Sequence, residues 1–207
     1  MSRCAKDDIS GTSAVSPTRI PQGSLRFLRP DQPHFRLAGD YFEALLNRER
    51  HRATDMVMGA LDNGLALSEL YLNVFAPVQY EVGWLWQQGL ISVGHEHYCT
   101  GTTQMIMAML YPRLFRTKRG TRRLVAACVS GELHELGLRM LADYSVLKGW
   151  DSDFLGADTP VDGVLRMLEE RPAAVLAISV TMHYHLEQAE DLIRAVRTSP
   201  RIAETII

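Results

Sequence analysis

Cysteine is scarce. Cys4, Cys99 and Cys128 are odd in number, far apart and in no C-x-x-C pair, which points to neither a disulfide framework nor a cysteine zinc site. Such usage fits a reducing compartment, and a cytoplasmic protein is expected. No uninterrupted apolar run approaches the roughly 20 residues needed to span a bilayer, and the first residues lack the apolar core of a signal peptide. Charge of one sign is missing too. With 22 Lys and Arg against 24 Asp and Glu, the formal net charge is -2, so no general attraction to nucleic acid arises. What remains is ordinary globular material, 46% hydrophobic and 22% charged over 207 residues. That length suffices for one large or two small domains with real cores.

The chain changes character twice. Residues 1–34, rich in Ser, Gly and Thr and carrying Pro17, Pro21, Pro30 and Pro33, read as a flexible leader. Over residues 35–116 the apolar pattern is helical. Leu37, Tyr41, Phe42, Leu45 and Leu46 mark a first helix, and Met56, Met58 and Leu61 a second that ends at Asn63-Gly64. Ser68 is the expected N-cap of a third helix, kinked or broken near Pro77 and ended by Gln88-Gly89. A fourth runs from about Val93 through Met105, Met107 and Leu110. Four helices on short loops predict a four-helix bundle. The basic run from Lys118 to Arg123 reads as a solvated hinge, since no aromatic or further basic cluster extends it. Over 117–207 apolar strands at 124–129, 151–155 and 174–180 alternate with helical patterns at 135–148, 161–170 and 184–197. The expected fold is therefore α + α/β, a bundle followed by a Rossmann-like (flavodoxin-like) doubly wound parallel sheet. Glu204 to Ile207 read as the opening of a fourth strand, leaving this half C-terminally incomplete.

Ligands in such sheets bind outside the carboxyl ends of the strands. There the chain reads Gly131-Glu132-Leu133-His134-Glu135-Leu136-Gly137, with a histidine where an apolar strand gives way to a helix. Taken singly, His134 also reads as a solvated loop histidine. His183-Tyr184-His185 after the third strand reads as a structural or solvated cluster, although it stands within reach of the same crevice.

Forty-one residues separate Gly137 from Ser179-Val180-Thr181. These residues and that interval resemble the fingerprint of a cobalamin-binding module, D-x-H-x-x-G followed by S-x-L and later by a G-G pair. The resemblance implies that His134 coordinates cobalt from below, in place of the cofactor's dimethylbenzimidazole tail, which enters a slot near Ser179 and Thr181. Glu132 stands where the family has Asp. It keeps the charge and would fix the tautomer of the imidazole through its other nitrogen. Gly137 would let the helix start lie close to the corrin. The G-G pair would fall beyond Ile207, so weaker cofactor retention than in a complete module is expected.

Within the bundle, Trp86, Glu96 and His97 form W-x9-E-H. This resembles the signature of CarH-type adenosylcobalamin photoreceptors, in which the bundle caps the upper face of the corrin, the tryptophan packs on the adenosyl group and the Glu/His pair lines the same pocket. Singly, Trp86 also reads as a core residue and Glu96-His97 as a surface pair at a helix N-terminus. The residue after the tryptophan is Gln87, where such photoreceptors carry a histidine. An amide is a poor cobalt ligand, so a bis-histidine light state at that position is not expected. The resemblance implies a non-catalytic, metal-binding photoreceptor active in light sensing and transcription regulation, with adenosylcobalamin as cofactor. No helix-turn-helix is read in the chain, so no direct nucleic-acid binding is expected and output would pass through a homo-oligomer or a regulatory protein partner. The other class implied is a corrinoid methyl-carrier subunit of a methyltransferase system, loaded with methylcobalamin.

Overall fold

The computed structural model describes residues 25–114 and 120–207. The helical half contains α1 (Phe35–Leu46), α2 (Arg50–Asp62), a short α3 (Leu67–Leu70), α4 (Ala76–Gln87) and α5 (Val93–Leu114). Their apolar faces enclose one core, with Tyr41, Leu45, Phe75, Leu85, Ile106 and Leu110 fully buried. The break expected near Pro77 takes the form of a π-helical turn, Tyr71–Phe75, joining α3 to α4. Pro77 has no N–H to return to the carbonyl one turn earlier, and a widened turn just before it absorbs the loss. Ser68 is not the N-cap. Ala66 is, in extended conformation, because Leu67 packs on the bundle core and draws the helix start forward.

Part of the segment expected to be a flexible leader is ordered. Leu28 is buried in the bundle core. Glu81 of α4, fully buried, accepts hydrogen bonds from the backbone N–H groups of Arg26, Phe27 and Leu28 at 2.6–3.1 Å. The Arg26 guanidinium stacks 4.7 Å from the Trp84 ring centroid. Residues 25–29 are thereby strapped to α4, while residues 1–24 lie outside the described residues.

The sheet half runs β1 (Arg123–Cys128), α6 (Leu136–Leu147), β2 (Asp151–Gly156), α7 (Val161–Glu170), β3 (Val175–Ser179), a 3-10 turn (His183–His185) and α8 (Leu186–Thr198). The strands are parallel in the order β2-β1-β3. β1 shows why it is central. Leu124, Ala126 and Cys128 face α6 through Leu138 and Ala142, and Val125, Ala127 and Val129 face α7 and α8 through Val164, Leu168, Leu192 and Val196. A period of two with both faces apolar is the pattern of a strand covered on both sides. The opening of a fourth strand is visible as a parallel bridge of Ile206 to Val175. The basic run is less solvated than expected. Arg122 stacks on Trp150 and Arg123 is buried in an ion pair with Asp153, while Lys118 and Arg119 lie outside the described residues. Among the described residues no helix is long and apolar enough to cross a membrane.

α6 joins the two halves. Its Leu136 and Met140 pack on the bundle core, its Asp143 accepts a hydrogen bond from Tyr71 at 2.9 Å, and its Arg139 lies over the Tyr111 ring of α5.

Candidate functional site

Strand order reverses between β1 and β3, which opens a crevice at their carboxyl ends. Two loops flank it, Ser130–Glu135 after β1 and Val180–Met182 after β3, and a buried carboxylate ties them together. Glu132 is fully buried. Its Oε1 accepts the His134 backbone N–H at 2.9 Å and faces His134 Nδ1 at 2.5 Å. Its Oε2 accepts the N–H groups of Thr181 and Met182 at 2.8 and 3.0 Å and faces His185 Nδ1 at 3.2 Å. Burial pushes this carboxyl up, but the hydrogen bonds from His134, Met182 and Thr181 outweigh it and hold the group well below the ordinary carboxylate range. The loop is laced further by Asp158, whose Oδ1 accepts Gly131 N–H at 2.7 Å and whose own N–H returns to the Glu132 carbonyl at 2.9 Å. Gly131, at φ +82°, sits against the His185 ring, where a Cβ would come within 3.1 Å of Nε2.

With Nδ1 engaged by a buried anion, the imidazole of His134 presents Nε2 outward, and its side chain is 53% exposed. A carboxylate on one ring nitrogen fixes the tautomer that leaves the other free to ligate. Gly137, three residues on, also adds no crowding, for nothing lies within 4 Å of where its Cβ would stand. Cys128, at the end of β1, is no competitor. Burial, then the charges of Glu132 and Glu135, push its thiol up to about 11, so no thiolate is offered.

The bundle reaches this loop along one row of α5. Ser92 starts that helix by accepting the His95 N–H, and Glu96, Thr100 and Gln104 follow at helical spacing on one face. Gln104 Nε2 donates to Glu135 Oε1 at 3.2 Å, and Glu135 Oε2 accepts Ala157 N–H at 2.9 Å. Glu96 thus lies about 12 Å along the helix from Gln104, whose partner Glu135 is next to His134. Trp86, at the end of α4, is 42% exposed and does not behave as a core residue. Glu96 Oε2 faces His97 Nδ1 at 2.5 Å, and the His97 ring is largely solvent-exposed.

The structure thus brings Glu132, His134 and the Thr181 backbone into one cluster, with Ser179 paired to Cys128 at the strand ends. Thr181 enters by its N–H. His185 is the member that its sequence context undervalued. The signal was its position six residues after Ser179 at a helix start, but its partner, Glu132, is 53 residues away. A cavity of about 400 Å³ lined by Leu114, Asp143, Trp150, Ser152 and Phe154 lies along the β2 edge, away from this cluster, and takes no part in it.

Two family models, both of the B12 binding domain, match residues 37–111 and 122–206. The chain belongs to the B12-binding family. This B12-binding chain is 31% identical over 114 residues to the HTH-type transcriptional repressor CarA of Myxococcus xanthus, covering 53% of itself and 39% of CarA. It is 23% identical over 143 residues to trimethylamine corrinoid protein 1 of Methanosarcina acetivorans, covering 68% of itself and 66% of that protein. It therefore spans from about two fifths to just under two thirds of these relatives. The structure of the Methanosarcina barkeri monomethylamine corrinoid protein shares its fold, with a TM-score of 0.72 at 15% identity over 84% of this chain and 82% of that one.

The residues present fit cobalamin. Among the described residues no three His, Cys, Asp or Glu converge to hold a metal by themselves. One half-exposed imidazole suits a metal that arrives with its own equatorial ligands. His134 would supply the lower nitrogen, with Glu132 behind it.

Proposed function

We propose that this B12-binding chain is a cytoplasmic adenosylcobalamin-dependent sensor, most simply of light, in which the bundle covers the cofactor's upper side and the His134 loop holds its lower side. The observation that carries the reading is the row on α5. It runs from Glu96 in the first turn of α5 to Gln104, which bonds Glu135 next to His134, so the helix that carries the Glu/His pair also touches the His134 loop. The identity to the repressor CarA supports it. Bound adenosylcobalamin supplies a cobalt–carbon bond that visible light breaks, whereas methylcobalamin supplies a transferable methyl group.

Each residue then has a role that its surroundings support. Glu132 would keep the proton of the His134 imidazole on Nδ1 and leave Nε2 to hold the cobalt. Gly137 would leave room for the macrocycle, and Ser179 and Thr181 would border the nucleotide tail. Trp86 offers an indole face to a nucleoside, and Glu96 with His97 offers an acceptor and a ring edge to its hydroxyls. Gln87 supplies no imidazole after the upper ligand is lost. Once Trp86 and Glu96 no longer hold an adenosyl group, the bundle would sit differently on α6, and an oligomer interface or a regulatory partner would read the change.

A second reading, a corrinoid methyl-carrier subunit, draws on the trimethylamine corrinoid protein and on the shared fold of the monomethylamine protein. The same His134 pair would serve there, with a partner enzyme supplying the transfer. The deciding experiment is the visible spectrum of the chain mixed with adenosylcobalamin in darkness and desalted, before and after green light, beside His134→Ala. Retained corrin that changes on illumination, and is altered or lost in the variant, is the expected result. Retention with photochemistry no different from free cofactor moves the assignment to the carrier.

A further inference from the structure

A polar chain runs through the bundle core to Glu96, and the donors along it can be assigned. Thr103 Oγ1 gives its single proton to the Cys99 carbonyl at 3.0 Å. It therefore accepts from both of its other neighbours, the buried Tyr41 hydroxyl at 2.8 Å and Gln79 Nε2 at 2.8 Å. This fixes the Gln79 amide with its nitrogen towards Thr103 and its oxygen towards Thr100. Thr100 Oγ1 has one proton and two acceptors, Gln79 Oε1 at 3.2 Å and Glu96 Oε1 at 2.7 Å. That proton is shared in a three-centre bond, whose shorter arm goes to the carboxylate, and charge-assisted bonds are the stronger ones.

Glu96 is consequently held at both oxygens, Oε1 by Thr100 and Oε2 by His97. A carboxylate offers about four acceptor directions, and the two that remain point at fixed angles. Such a group favours an upper ligand that donates hydrogen bonds and gives nothing to one that cannot. A carboxylate free to rotate would have to be ordered on binding and would discriminate less.

We propose that Thr100 and Gln79 are positioning residues that set the preference for a cobalamin whose upper ligand carries hydroxyl groups, by orienting Glu96. The inference rests on the sensor reading above and adds to it the source of specificity.

The test compares dissociation constants for adenosylcobalamin and methylcobalamin, whose upper methyl group donates no hydrogen bond, in the dark, in the whole chain and in Thr100→Val, Thr100→Ser, Gln79→Leu and Glu96→Gln. Thr100→Val keeps the shape and removes the hydroxyl. It is expected to weaken adenosylcobalamin about three- to tenfold, in line with loss of one oriented hydrogen bond, and to leave methylcobalamin within about twofold. Thr100→Ser restores the preference, and Gln79→Leu gives a smaller loss in the same direction. Gln79→Leu also carries the test on α4 should Thr100→Val fail to fold. Loss of preference in Glu96→Gln with none in Thr100→Val or Gln79→Leu overturns the positioning role and leaves the sensor reading standing. Equal weakening of both cofactor forms in the Thr100 and Gln79 variants overturns it as well, because a merely structural role predicts that. Unchanged preference in Glu96→Gln, or no binding by the unmodified chain, overturns both readings.

Discussion

Each half of the molecule is organised around one fully buried glutamate, and the two spend their oxygens differently. Glu81 gives all of its bonds to consecutive backbone N–H groups, those of Arg26, Phe27 and Leu28. Its product is a fastened strap. Glu132 accepts three backbone N–H groups as well, from His134, Thr181 and Met182, but shares the remainder with the rings of His134 and His185. Main-chain donors alone make a buried carboxylate a rivet. When imidazoles are added, the same rivet sets which ring nitrogen faces outward, and structure passes into ligand chemistry. Asp143 is a third case, with the Tyr71 hydroxyl and no backbone N–H bonded to it among the described residues. Accordingly its carboxyl is raised, where that of Glu132 is lowered.

Glu132→Gln should break the comparison most severely. An amide would turn an NH2 towards N–H donors and release the His134 ring. Cobalamin affinity is expected to fall about 10- to 100-fold, the range for removal of a carboxylate behind a metal-ligating histidine, and retained corrin absorbance after desalting measures it. Retention equal to the unmodified chain would mean that His134 needs no such support. Glu81→Gln should cost about 2 kcal/mol of stability, as for loss of hydrogen bonds to a charged group, and change cobalamin affinity by less than about twofold. Denaturant titration and spectral titration together check it, and a parallel loss of affinity would show that the strap is part of the site.

The smallest effect is a pH slope. Burial raises the Asp143 carboxyl, with Tyr71 and then Arg139 pulling it partly back. The folded chain keeps this proton to higher pH than the unfolded chain. Its contribution to stability is therefore full below the unfolded carboxylate value and declines as pH rises through the folded one. Asp143→Asn should remove that decline from a plot of unfolding midpoint against pH, and an identical slope in the variant would refute the assignment.

The local parts of this structure were legible because their causes are local. Apolar spacing in Phe35–Leu46 and Val93–Leu114 marks the helices, and the unbroken apolar run of β1 marks the central strand. His134 stands out in the sequence because its motif and its distance from Ser179 travel together there. What stayed hidden depends on partners distant in sequence. Glu81 carries no local mark of its hold on Leu28, 53 residues earlier, so proline and serine content made residues 25–34 look unanchored. Arg123 reads as one more basic residue until Asp153 is brought beside it by the β1–β2 register. Gln79 carries no mark in the sequence at all, because its role exists only once α5 is packed across it and Thr100 and Thr103 take both ends of its amide.

The widened turn at Tyr71–Phe75 separates two jobs along one continuous rod. Tyr71, at its start, grips α6 through Asp143, and Trp86, in the last turn of α4, is the exposed indole proposed to meet the cofactor. Each residue added to or taken from a helix rotates the remainder of that helix by about 100°, so the extra residue in this turn is an angular setting between grip and indole. A one-residue deletion at Asn73 would leave both side chains in the chain and swing them out of alignment, whereas substitutions that keep its length would keep the angle.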